Sequence, residues 1–230
     1  MSRRPPGAAR SSERLSDRLS DRLSILARLQ LGLEALYRVE TRLAIDAFVI
    51  DATARAEAQT ARAPREQLLV KQDDGELRLG LFLDAEALAN LERNDPSARL
   101  DARNFADFCL AVEGVSHFVY VALCAADDRS VSQLELELQA EVDKFACCVL
   151  VAGSAPDLRR RLYGEVRFAD DLDPDECDRY RAANNEARRY AGALERRYVR
   201  ADRTEALLGE LRRFYRMDLP DKLGHIARFD

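Results

Sequence analysis

With 230 residues, 47% of them hydrophobic, the chain has enough apolar material for one large core or two small ones. A net charge of −5 and an isoelectric point near 5.3 argue against binding nucleic acid or anionic membranes over the whole surface. The longest apolar run, Phe105 to Ala126, is interrupted by a glutamate, a histidine and an aspartate, so it reads as a buried helix and no transmembrane segment is expected.

The N-terminal stretch MSRRPPGAARSSERLSDRLSDRLS has arginines but no apolar run before a small-residue cleavage site, and Glu13, Asp17 and Asp21 do not suit a transit peptide. A cytoplasmic location is the expectation. Residues 1–11 are expected to be a disordered tail, and residues 12–230 a single mainly helical domain. Leu15, Leu19 and Leu23 are four apart, and Leu26, Leu29, Leu33 and Leu36 continue the stripe, which predicts a helix over about 12–40. Leu43 to Asp51 satisfies both the helical and the strand period, and the alanine-rich run to Pro64 reads as a mobile connection.

The clearest strand signal lies at about 66–83, where Leu77, Leu79, Leu81 and Leu83 alternate along one face and Asp74-Gly75 suits a type I′ turn. Such a hairpin is marginal alone, so its leucine face needs a cover, and residues 43–50 are the candidate third strand. Asp84 is placed to N-cap a short helix that Asp95-Pro96 ends.

From Asp101 to Gly153 two long apolar segments flank the polar turn Asp127-Asp128-Arg129, which predicts a helical hairpin at the centre of the fold. Ser130-Val-Ser-Gln133 fits a capping box opening its second arm. Arginine- and tyrosine-rich helices follow at about 157–164, 174–199, 202–216 and 219–227, the longest starting at Asp173-Pro174. The expected fold is therefore mainly α: a helical bundle around a central hairpin (101–153) with a minor β-hairpin (66–83). The N-terminal helix and connection (12–64) precede this centre, and the C-terminal helices (157–227) pack on it.

Candidate chemistry concentrates on that hairpin. Glu113, His117 and Tyr120 share one face of the first arm by spacings of four and three, and Glu137, Glu141 and Lys144 repeat the pattern in the second. Folding back about the turn puts Glu113 near Lys144, His117 near Glu141 and Tyr120 near Glu137. One reading is a satisfied buried network. Another is a metal site at Glu113, His117, Glu137 and Glu141, where carboxylates plus one imidazole would suit Mn, Fe or Zn. The Glu-x-x-x-His spacing differs from the paired Glu-x-x-His of di-iron bundles, and Lys144 is a competing cation.

A second cluster places Arg188, Arg189, Arg196 and Arg197 beside tyrosines, the mixture that holds single-stranded nucleic acid, although Glu186, Glu195 and Glu205 are interspersed. Five cysteines without CxxC spacing read as buried free thiols, with Cys109 opposite Cys148. No Gly-x-Ser-x-Gly elbow and no glycine-rich phosphate loop is present. The runs VEGVSHFVY and LELELQAEVDKF, within residues 64–150, resemble a family of uncharacterised bacterial proteins, a resemblance that implies no activity, ligand or fold.

The leading functional expectation is a non-catalytic protein–protein interaction or regulatory protein, working through a protein partner or self-association. The alternatives are a metal-binding helical bundle and a nucleic-acid-binding accessory protein.

Overall fold

The computed structural model describes residues 23–58, 64–73, 76–153, 157–164 and 173–229. The expected tail at 1–11, the first turns of the 12–40 helix and the Asp74-Gly75 turn lie outside them.

The first described helix, α1 (Ile25–Tyr37), begins where the Ser24 hydroxyl accepts from Ala27 N at 3.0 Å and ends at Arg38, whose left-handed backbone breaks the run. Its leucine stripe buries Leu26, Leu33 and Leu36 with Tyr37. A single 3₁₀ turn (Ile45–Phe48) leads into β1 (Val49–Ile50). Where a mobile connection was expected, the chain forms a short helix α2 (Ala52–Glu57), because Asp51 caps Ala54 N at 2.8 Å and alanine favours helix.

Strands β2 (Glu66–Asp73) and β3 (Glu76–Leu83) pair antiparallel as expected, and β1 joins β3 in parallel, giving the order β1-β3-β2. Residues 43–50 thus do supply a third strand, though only Val49 and Ile50 pair. β2 is left as an outer strand. Helix α3 (Ala85–Arg93) follows, capped by Asp84 as its position predicts.

The central hairpin consists of α4 (Phe105–Ala126) and α5 (Gln133–Ala152). The cap of α5 is Ser132, accepting from Glu135 N at 3.2 Å, two residues beyond the Ser130 that the capping-box spacing suggested. Helix α4 is long and apolar enough to cross a membrane by length and composition, but 72% of its most apolar window is buried in the protein, as a core helix is.

Four helices complete the bundle: α6 (Leu158–Tyr163), α7 (Pro174–Leu194, running on as one wider turn at Glu195–Val199), α8 (Thr204–Tyr215) and α9 (Leu219–Phe229). A capping box of Asp173 and Glu176, with Pro174 at the first position, starts α7. Along α7 the residues Ala183, Ala187, Tyr190 and Leu194 are all buried, and the two alanines let it lie close on its neighbours. One apolar cluster draws on α1, β3, α3 to α9 and the 3₁₀ turn, so the C-terminal helices do pack on the central hairpin. The architecture is mainly α with a minor sheet.

Candidate functional site

The hairpin carries two polar seams, where its spacing suggested one. Successive helical residues turn by about 100°, so His117 and Ser116 leave α4 in different directions. Glu113 and His117 face Glu137, Glu141 and Lys144, while Ser116 and Tyr120 face Glu135, Gln139 and Asp143.

The second seam centres on Asp143 and Lys222. Tyr37, Ser116 (Oγ to Oδ2, 2.6 Å) and Gln139 (Nε2 to Oδ1, 2.8 Å) all donate to Asp143. Burial pushes that carboxyl up to about 6 against these bonds. Lys222, wholly buried on α9, donates to the Tyr120 hydroxyl at 2.6 Å and to Gln139 Oε1 at 2.9 Å. Burial brings its ammonium down to about 8. Tyr120 in turn donates to Glu135 Oε1 at 2.7 Å, which also accepts from Arg129 at 2.7 Å. Tyr120 therefore belongs with Glu135 and not with Glu137 as its spacing suggested. Asp143, Gln139 and Lys222 went unread in the sequence, yet Glu135, Gln139 and Asp143 recur every four residues opposite Ser116 and Tyr120, a signal that was there to use.

The first seam has two halves. At one end Lys144 donates to Glu113 at 3.0 Å, the pairing expected, and to Glu141 at 2.6 Å. Burial opposes the Lys144 charge, but the two carboxylates outweigh it and hold the ammonium well above its ordinary range. Glu141 is thus the partner of Lys144 and not of His117. At the other end the His117 ring lies between Glu66 Oε1, 3.4 Å from Nδ1, and Glu137 Oε2, 3.8 Å from Nε2. Glu66 comes from β2, and no helical periodicity could have brought it in. It reaches the ring over Gly114, where an added Cβ would stand 3.0 Å from Glu66 Cγ and 3.1 Å from Leu81 Cδ1.

Burial disfavours a charged imidazole, but the hydrogen bond and charge of Glu66, with Glu137 and Glu113, push His117 up to about 10. Burial likewise raises Glu66 and takes Glu137 up to about 7. Among the described residues Glu66, Glu113, Glu137 and Glu141 pair with two cations, His117 and Lys144, so acceptor oxygens are in excess there.

This end of the seam opens into a cleft of about 540 Å³. Its walls are β2 (Glu66, Gln67, Leu68, Val70), the starts of α5 and α7, and His117 with Val121 of α4. Its size fits a binding site, and its lining mixes apolar side chains (Leu68, Val70, Val121, Leu136) with an equal share of charged and polar ones. Three of the buried side-chain atoms without a hydrogen-bond partner among the described residues belong to residues lining this one cleft: His117 Nε2, Gln67 Oε1 and Arg179 Nε.

The metal reading of Glu113, His117, Glu137 and Glu141 fits this packing poorly. Lys144 already pairs with two of the four, Glu113 and Glu141, and a metal would have to displace a proton from an imidazole flanked by two carboxylates. Among the described residues no group of three or more His, Cys, Asp or Glu side chains is arranged to hold an ion.

Arg188, Arg189, Arg196 and Arg197 are all exposed, yet the aromatics beside them are spent elsewhere. Tyr190 is buried against Phe214 with ring centroids 4.3 Å apart, Arg189 pairs with Glu186 at 3.1 Å, and Arg197 covers Phe229. Among the described residues no row of open rings lies beside these arginines for bases to stack on, which single-strand binding needs. The five cysteines are free, and Cys148 meets Cys109 across the hairpin as expected, its thiol raised by that hydrogen bond and by burial.

No family model, curated protein or solved structure matches this chain. The functional reading rests on the site itself.

Proposed function

We propose that this chain is a non-catalytic cytoplasmic interaction or regulatory protein that takes hold of a partner in the cleft beside β2. One observation carries the reading: His117 Nε2, Gln67 Oε1 and Arg179 Nε, buried atoms of three residues that line the same cleft, have no hydrogen-bond partner among the described residues. Buried polar groups are almost always paired, so three orphans in one cleft favour an occupant that supplies both acceptors and a donor. Leu68, Val70, Val121 and Leu136 supply apolar area around them. The unpaired cysteines suit a reducing compartment.

The test is selection of a displayed decapeptide library on the full chain, followed by calorimetric titration of the synthetic hits. Val70, 51% exposed and in the cleft wall, can be changed to arginine without disturbing the core. Hits that lose at least tenfold in affinity to Val70→Arg, with its melting temperature unchanged, support the reading. No hits, or hits indifferent to Val70→Arg, overturn it.

A further inference from the structure

Resting on that reading, we infer that the occupant is an extended segment of a partner protein that adds to the outer edge of β2 as a further strand and presents a lysine or arginine to Glu66 and Glu137. The first support is topological. In the order β1-β3-β2, β2 pairs on one side only among the described residues, and an outer strand leaves alternate N–H and C=O groups free to pair with another chain. The cleft is lined by Glu66, Gln67, Leu68 and Val70, consecutive and alternate residues of this strand alike, so it runs along the strand and takes in both of its faces.

The second support is the kind of groups left unpaired. The charged His117 carries a hydrogen on Nε2 and Arg179 carries one on Nε, while Gln67 offers an oxygen. A peptide backbone repeats an acceptor and a donor at every residue, so an extended segment carries both kinds of group that these three lack.

The third is charge. Glu113 and Glu141 are matched by Lys144, but Glu66 and Glu137 share only the His117 ring, and at the mouth Glu176 faces Arg179 at 4.0 Å. A basic side chain reaching Glu66 and Glu137 from the cleft, beside the His117 ring, brings a third cation to the four carboxylates, whereas an acidic one would add a further buried carboxylate to the cluster.

The experiment uses the peptides selected above. Each is resynthesised with single backbone N-methyl groups along its length, and with its basic residue replaced by norleucine, and is titrated against the full chain and Glu137→Gln. Strand addition predicts at least tenfold weakening by N-methylation at alternate positions and near indifference between them, with slowed amide exchange in β2. The charge contact predicts that norleucine and Glu137→Gln each weaken binding about tenfold and that together they do little more. Peptides that bind in the cleft but tolerate every N-methyl group overturn strand addition and leave the binding reading standing. Selection of acidic or neutral segments overturns the charge contact, and failure of any peptide to bind overturns both the inference and the reading beneath it.

Discussion

Lys222 Nζ lies 2.6 Å from the Tyr120 hydroxyl, joining residues 102 apart in sequence at a point with no solvent access. The last helix is thereby pinned to the core hairpin by a cation. Lys222→Ala is expected to cost about 3 kcal/mol, since Tyr120 and Gln139 lose a donor and Glu135 a nearby cation in a buried setting. Urea unfolding at pH 7 measures it, and a loss under about 1 kcal/mol would mean that the seam repacks around the gap.

The same lysine has a pH signature. Its ammonium is lowered to about 8 from 10.5, so between those values the folded state binds fewer protons than the unfolded state and stability rises with pH. The rise, taken as the difference from Lys222→Met, should be roughly 3 kcal/mol across that window. A flat difference would show that the ammonium has the same pKa in the folded and the unfolded chain.

His117 has the opposite sign. With its pKa raised to about 10 from 6.5, its contribution is fully present below 6.5 and is lost as pH rises through 10. Wild type should therefore exceed His117→Gln most at pH 6, and the gap should narrow by pH 10. Chemical denaturation at three pH values reads this directly.

Lys144 stands between Glu113 and Glu141, so its loss strands two carboxylates, while loss of Glu141 leaves Lys144 paired with Glu113. Lys144→Met should cost about 3–5 kcal/mol and Glu141→Ala clearly less. Equal costs in the two variants would contradict the shared pairing.

Because Lys144 holds that end of the seam, the purified untagged chain is expected to carry far less than one Mn, Fe or Zn per molecule. Plasma mass spectrometry gives the count. Near-stoichiometric metal that disappears in His117→Ala would restore the metal site.

Glu137, raised to about 7 by burial and by Glu113 and Glu66 against His117 and Lys144, ionises across neutral pH, with Tyr180 facing it from α7. A peptide lysine near it should bind more tightly as pH rises from 6 to 8, by up to about tenfold per unit of coupled pKa change. Titration of a selected peptide at pH 6, 7 and 8 decides the sign.

The sequence by itself determined the elements. Alternating leucines marked β3, Asp84 and Asp173 marked helix starts, and the apolar length of 105–126 marked a core helix, because these signals act over a few residues. It also paired Glu113 with Lys144, since a hairpin with a short turn constrains which levels face each other. Tertiary structure decided the rest. Which of two neighbouring faces Tyr120 joins depends on the rotation of α5 about its own axis, and that is set by the neighbours it packs against. Glu66, 51 residues before His117, and Lys222, 102 residues after Tyr120, arrive from a strand and a final helix whose placement no local period encodes. The cleft exists only where β2, α4, α5 and α7 meet, so its orphan groups became visible only once the chain was folded.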